Sequence, residues 1–443
     1  MRVRPRRKLL ILLALLLVPN LILSLGLKGQ GMASGCFSPP TFAHDRGLTS
    51  LDDVLVFATA APDTIQVYSV SQARVTNTLK AAERLQDMAV SPVDPQGEPN
   101  PRAYVATKSG RVAAYDFRHN AVLDEVKLSD DPEATSGSVA VSGDGKYVAV
   151  GIGDQQFQIK DIAILNAAKL TQKVASTNIG GDLQDLVANP NPLIPELYIV
   201  NDRADKIRIF DFSSMTMEAI PLMLTGSPST FAISPDGHMA LASINAREKV
   251  VFIDLDRKVL FYEVTLPGAS PHRIAFSPDD KYAYVTDRKP RGSLYRFDLE
   301  AIRQAMAAGT TPDQATVVTA KHLPALLTNS SFVPETAAVS SDSNFLYLAF
   351  SNQTHISVVN LTSIDDLIKA HPNKEYDFMR DSAAQQIALA DKADDDGLYE
   401  IQGVNLAKDP VTFGTLFNSN LVFKFTSPKV KASPGVNAPV GGK

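Results

Sequence analysis

The sequence predicts an all-β fold: a seven- or eight-bladed β-propeller built from four-stranded antiparallel blades. Two observations predict it, a phrase that recurs along the chain and the spacing of its copies. "AISPDGHMALASINAREKVVFIDL" at 232–255 is followed by "AFSPDDKYAYVTDRKPRGSLYRFDL" at 275–299. Further copies start at Met88, Val139, Leu186 and Ala337, with an incomplete one at Val54 and a degenerate one at Gly403. The turn residues Ser91, Ser142, Asn189, Ser234, Ser277 and Ser340 occupy equivalent places, at gaps of 51, 47, 45, 43 and 63 residues. A period of about 40–45 residues with several strands per unit is the signature of a propeller blade. Eight copies of the middle two strands leave the blade count at seven or eight.

Residues 1–36 form a separate region. "MRVRPRRK" carries five basic residues and is followed by the apolar run "LLILLALLLVPNLILSLGL" at 9–27. As a helix rising about 1.5 Å per residue, that run approaches the roughly 30 Å of a bilayer core. Pro19, Asn20 and Ser24 interrupt it. It is expected to be an apolar helix acting as a cleaved secretion signal or as a retained membrane anchor with its basic end in the cytoplasm. Either way the rest of the chain is placed outside the cytoplasm, in the periplasm or at the cell surface. Cys36, in "ASGC", is the one cysteine. The small-small-Cys pattern resembles a lipoprotein processing site, although Ala33 stands where such sites usually carry Leu. Lipidation at Cys36 and an incidental thiol both remain open. One cysteine allows no internal disulfide, so stability must come from core packing. Residues 37–50 read as a linker.

The propeller is expected over 51–425. Each unit opens with an apolar strand carrying a small residue, such as "FAIS" from Phe231 or "IAFS" from Ile274. The small residue suits the crowded centre where inner strands converge. "SPDG" or "SPDD" turns the chain, with Pro presetting φ and Asp and Gly tolerating the conformations that follow. "YAYVTD" or "YIVND" makes a second strand, and "VVFIDL" or "LYRFDL" a third with period-2 alternation. A more polar fourth strand, such as "VLFYEVTL" from Val259, lies at the rim, where polarity discourages pairing with other chains. The long gap after Ser277 holds "LEAIRQAMAAG" from Leu299, with apolar residues at helical spacing. A second helical insertion is expected after Leu361, with Ser363 as N-cap. The first copy lacks an inner strand and the last an outer one, so the ring is expected to close with strands from both chain ends. Residues 426–443 are Pro-, Gly- and Lys-rich and are predicted to be disordered.

"YVTD" at Tyr284, "YIVN" at Tyr198, "SPDG" at Ser234 and "SPHRIAFSPDDKYAYVTD" from Ser270 resemble the YVTN β-propeller repeat of surface-layer proteins and lactonase-like propellers. The resemblance covers 51 to 425. It implies a propeller and an association with cell surfaces, and says little about activity. The WD40 repeat is a weaker match, because the chain has no Trp.

In a propeller, ligands meet at the central channel, so residues just before each inner strand are the candidate site. They are Gln86, Asp87, Gln184, Asp185, His272, Arg273 and Glu335, together with Gly137, Ser138, Ser229, Thr230 and Thr336. Such a mouth could hold a small polar ligand or a divalent metal. The same residues could instead cap backbone at the strand starts. The candidates for catalysis are His272, Arg273 and Glu335. A His272 general base would need a carboxylate partner and a substrate proton within hydrogen-bond reach. "DKADDDGLYE" offers Asp394 and Asp396 as calcium ligands around Gly397, but Lys392 and Gly403 fall on other ligand places. No cofactor is predicted. There is no C-x-x-C-H, G-x-S-x-G, phosphate-binding G-x-x-x-x-G-K-[ST] or H-E-x-x-H. The net charge of −5 argues against a nucleic-acid partner. The expected function is a non-enzymatic binding or scaffolding module of the cell envelope, engaging a protein or polymer through its faces and edge loops. The alternative is a lactonase-like hydrolase with its polar site at the channel mouth.

Overall fold

A strand that is apolar on both faces can be buried only if a second sheet covers each one. A computed structural model of the chain shows how this is achieved. It describes most positions from 54 to 361, with the strands at 384–388, 411–417 and 422–426. The expectations for residues 1–36 with Cys36, for 37–50, for the insertion after Leu361, for Asp394 and Asp396, and for the tail lie outside the described residues. Among the described residues the strands form seven antiparallel sheets, a propeller-like all-β arrangement.

The sheet made by Thr230–Ile233, Met239–Ile244, Lys249–Asp254 and Val259–Thr265 is representative. Its strands pair in sequence order, with Phe231 opposite Ala242, Ala242 opposite Val251 and Val251 opposite Glu263. Met239–Ile244 is buried throughout, whereas Val259–Thr265 is largely exposed or half-buried. Along the second strand, Met239 and Leu241 pack with Ile274, Phe276, Val285 and Phe297 of the next sheet. Ala240 and Ala242 pack with Tyr198, Val200 and Ile209 of the preceding one. Period-2 alternation thus divides one strand between two cores. Phe252 and Phe297 meet edge to face across such a core, with ring centroids 5.5 Å apart.

One sheet draws on both ends of the chain. Its order is Arg74–Lys80, Thr64–Ser69, Val54–Thr59, Val411–Phe417, Val422–Thr426. Val56 pairs with Thr415. The first and last sequence copies therefore share a sheet, which is why eight copies give seven sheets. The innermost strands contact one another in a closed cycle, from Leu85–Ser91 through Thr135–Val141, Leu183–Ala188, Thr230–Ile233, Pro271–Phe276 and Pro334–Val339 to Val422–Thr426 and back.

The repeated turn is a hydrogen-bonded unit. Ser234 Oγ donates to Asp236 Oδ1 at 2.5 Å and accepts from Met239 N at 3.0 Å, while His238 N donates to Asp236 Oδ1. Ser142, Asp144, Lys146 and Tyr147 repeat the pattern. The residue after the Asp is left-handed in four copies: φ is 73° at Gly145, 83° at Gly237, 59° at Asp280 and 61° at Ser343. Asp adopts that region at a modest cost because its short polar side chain bonds locally.

"LEAIRQAMAAG" forms the helix α1, Leu299–Ala308. Asp298 caps it by accepting from Glu300 N and Ala301 N, and Gly309 ends it at φ 63°. Leu299, Ile302 and Ala305 are buried. Among the described residues no helix is long and apolar enough to cross a membrane.

Candidate functional site

The inner strand of each sheet has no ladder partner on its channel side. Its outward N–H groups must find another acceptor or remain unsatisfied. Four residues before each turn residue, one position repeats around the channel: Asp87, Ser138, Asp185, Thr230 and Arg273. Val139 N donates to Asp87 Oδ2 at 2.9 Å, across to the preceding sheet. Leu186 N donates to Ser138 Oγ at 3.1 Å in the same way, and to its neighbour Asp185 Oδ1 at 2.9 Å. Ser138 Oγ lies 3.1 Å from Asp87 Oδ2 and 2.9 Å from Asp185 Oδ1, bridging the two carboxylates. A hydroxyl carries one proton, so it donates to one of them at a time. Gln184 Nε2 donates to Ser229 O of the following sheet at 3.0 Å.

These strand starts surround a cavity of about 550 Å³ in the centre of the molecule. Gln86, Asp87, Gln184, Asp185, His272 and Arg273 all line it. Val139, Leu186, Phe231, Ile274 and Phe276, beside these positions on the inner strands, also border it, with their side chains buried. Asp87 and His272 are buried, Gln86, Asp185 and Arg273 half-buried, and Gln184 exposed. The His272 carbonyl accepts from Ser243 Oγ at 2.6 Å, and Arg273 N donates to Thr286 Oγ1 at 3.1 Å. Glu335 belongs to the strand Pro334–Val339, and its side chain lies outside the described residues. Two of the residues that the sequence placed before the inner strands gain weight. Ser138 links the carboxylates, and Thr230, 6% exposed on the cavity wall, has an Oγ1 with no hydrogen-bond partner among the described residues. Both share the register position of Asp87 and Asp185, the signal by which the sequence marked them. Among the described residues no three or more His, Cys, Asp or Glu side chains are grouped to hold a metal ion.

A second charged cluster lies at the turns that end the inner strands. Arg303 of α1 approaches Asp236 Oδ2 at 3.3 Å and Asp280 Oδ1 at 3.0 Å, and also donates to Asp280 O. Burial, with the nearby Asp236 charge, pushes the Asp280 carboxyl up to about 6. Burial also raises Asp236, but hydrogen bonds from Ser234 and His238 N and the Arg303 charge outweigh it, leaving that carboxyl below its usual value. His238 is raised by its hydrogen bond with Asp256, at 2.7 Å. This cluster joins neighbouring turns to the helix.

No protein-family model matches the chain, and no curated protein matches it. Solved structures do. A functionally unknown protein from Desulfotomaculum acetoxidans is 13% identical, with a TM-score of 0.55, covering 70% of this chain and 93% of its own. Hydrazine synthase from Kuenenia stuttgartiensis is 16% identical, with a TM-score of 0.52, covering 77% of this chain and 95% of its own. At such identities the likeness is one of fold, and it agrees with the sheet order: the chain is a propeller-like all-β protein.

Proposed function

We propose that this chain is an exported, membrane-tethered, seven-bladed β-propeller of the YVTN type that binds a protein or polymer of the cell envelope and catalyses no reaction. The seven sheets with inner strands in a closed cycle support the blade count. One observation carries the non-enzymatic reading. The carboxylates at the channel mouth serve blade-to-blade hydrogen bonds: Asp87 holds Val139 N, and Asp185 is tied to Ser138. A general acid or base must exchange its proton with a substrate, whereas these carboxylate oxygens are engaged in hydrogen bonds between neighbouring sheets.

The test has two arms. The full chain, tagged and recovered from membranes, is expected to carry a saturable partner through washes. The same chain is expected to leave a panel of sugar lactones unhydrolysed above the buffer rate. Lactone turnover that disappears when His272, Arg273 and Glu335 are replaced together would overturn the binding reading in favour of a hydrolase. Fractionation and the N-terminal mass test the tether. A chain recovered only from the soluble cytoplasm would contradict export.

A further inference from the structure

One register position on the third strand of the sheets is a core position. It holds Ala113 opposite Val105, Ala163 opposite Val150, Val251 opposite Ala242 and Tyr295 opposite Val285. All four are buried. Ala163, Val251 and Tyr295 belong to the apolar clusters that join their sheets to the preceding ones. In the sheet that contains Leu183–Ala188, Glu196–Asn201 and Lys206–Asp211, the same position, opposite Ile199, is Arg208. Ile199 clusters with Ala149, Ile162 and Ile164 of the preceding sheet. A cation therefore stands where the repeat elsewhere places Ala, Val or Tyr.

Arg208 is half-buried, and its Nε is buried without a hydrogen-bond partner. No hydrogen bond or ion pair joins its guanidinium to a described residue, including Asp182 and Asp205 of the two adjoining loops. A guanidinium drawn among core positions loses water and needs an anion in return. The loop arriving from the preceding sheet leaves room for one. A Cβ at Gly180 would stand 2.8 Å from Arg208 Nη2 and 3.3 Å from Cζ. Gly180 is exposed, has φ 66°, and donates its N–H to Asn178 Oδ1 at 2.9 Å. Asn201 Nδ2 donates to Ile179 O at 3.0 Å, which holds this loop on the sheet. The fork thus lies against exposed backbone that carries no side chain.

We infer that Arg208, beneath the Gly180 loop, binds one carboxylate group. The planar fork presents parallel N–H donors that match the two oxygens of a carboxylate. Its single positive charge balances a single negative one, whereas a phosphate dianion would keep a charge uncompensated. The site is independent of the envelope-binding reading, because a free carboxylate suffices to occupy it.

Thermal unfolding of the purified full chain tests it, at constant ionic strength with sodium chloride exchanged for sodium acetate or sodium phosphate. The readout is the shift in the native chain less the shift in Arg208→Val, which cancels the general effect of each salt on stability. Arg208→Val carries the residue found at this position in the next sheet, so in chloride its melting temperature should hold or rise. At about 100 mM acetate the difference should reach about 2 °C or more, as for a ligand that binds only the folded state. Phosphate should give a smaller difference. Arg208→Lys keeps the charge without the fork and should lose at least half of the acetate shift. The inference is overturned if acetate shifts the native chain and Arg208→Val equally, or if phosphate gives an equal or larger difference. Should Arg208→Val not fold, an acetate shift retained in full by Arg208→Lys overturns it. No membrane partner enters the measurement, so its failure is distinguishable from failure of the envelope-binding reading.

Discussion

Gly237→Ala should destabilise the protein by about 2–4 kcal/mol, for two separable reasons. The first is backbone conformation. Gly237 has φ 83°, where an L side chain is strained by about 1–2 kcal/mol. The second is space. A Cβ there would stand 2.3 Å from Asn189 Oδ1 and 2.7 Å from Asn191 Cβ. Asn189 cannot yield easily. It is 1% exposed, its Nδ2 donates to Gly237 O at 2.9 Å, and its Oδ1 accepts from Asn191 N at 3.0 Å. Pushing it aside disrupts a buried hydrogen bond that ties adjacent turns and a part-buried one within its own turn, at about 1 kcal/mol each or more. Reduced freedom of the unfolded chain returns about 0.4–1 kcal/mol. Gly97→Ala is the control. Gly97 has φ 85°, but a Cβ there meets nothing within 4 Å. Urea unfolding followed by tyrosine fluorescence should give Gly97→Ala a loss of about 1 kcal/mol and Gly237→Ala at least twice that. Equal losses in the two variants would refute the packing part of the reasoning.

Asp280→Asn should raise stability at pH 7.5 and leave it unchanged near pH 4. The folded carboxyl, pushed up from 3.8 to about 6, contributes stability that is present below the unfolded value and lost as pH rises through about 6. At roughly 1.4 kcal/mol per pH unit the full effect is about 3 kcal/mol, which solvent screening at this part-exposed site reduces to about 1. Urea midpoints at the two pH values check it, and an offset independent of pH would count against the charge argument. Asp87→Ala strands the buried Val139 N and should cost about 1–3 kcal/mol. Faster hydrogen exchange at Val139 would accompany that loss, and unchanged protection would contradict the capping role. Phe252→Ala empties a fully buried position between two sheets and should cost about 3–5 kcal/mol by the same unfolding assay.

The recurring phrase was enough to read strand order, the turn chemistry and the period, because these depend on residues close in the chain. A Pro before an Asp favours a turn from local chemistry, and the apolar run at 250–253 gives a strand two apolar faces. Helix α1 was legible for the same reason, from the spacing of Leu299, Ile302 and Ala305. The sheet count was not. Val56 and Thr415 lie at opposite ends of the chain, and nothing local tells either copy that it is half of one sheet. The candidate site divides in the same way. The residues ahead of each inner strand were identifiable from register alone, but their duties were not. Asp87 caps Val139 because that backbone N–H faces the channel with no strand beside it, and Ser138 sits where two carboxylates approach from different sheets. Thr230 shares their register position, but its Oγ1 has no hydrogen-bond partner among the described residues. Local pattern determines which elements form. Which side chains meet, and which polar atoms are left unmatched around the channel, is decided only when the ring closes, because those contacts join residues about 45 or more positions apart.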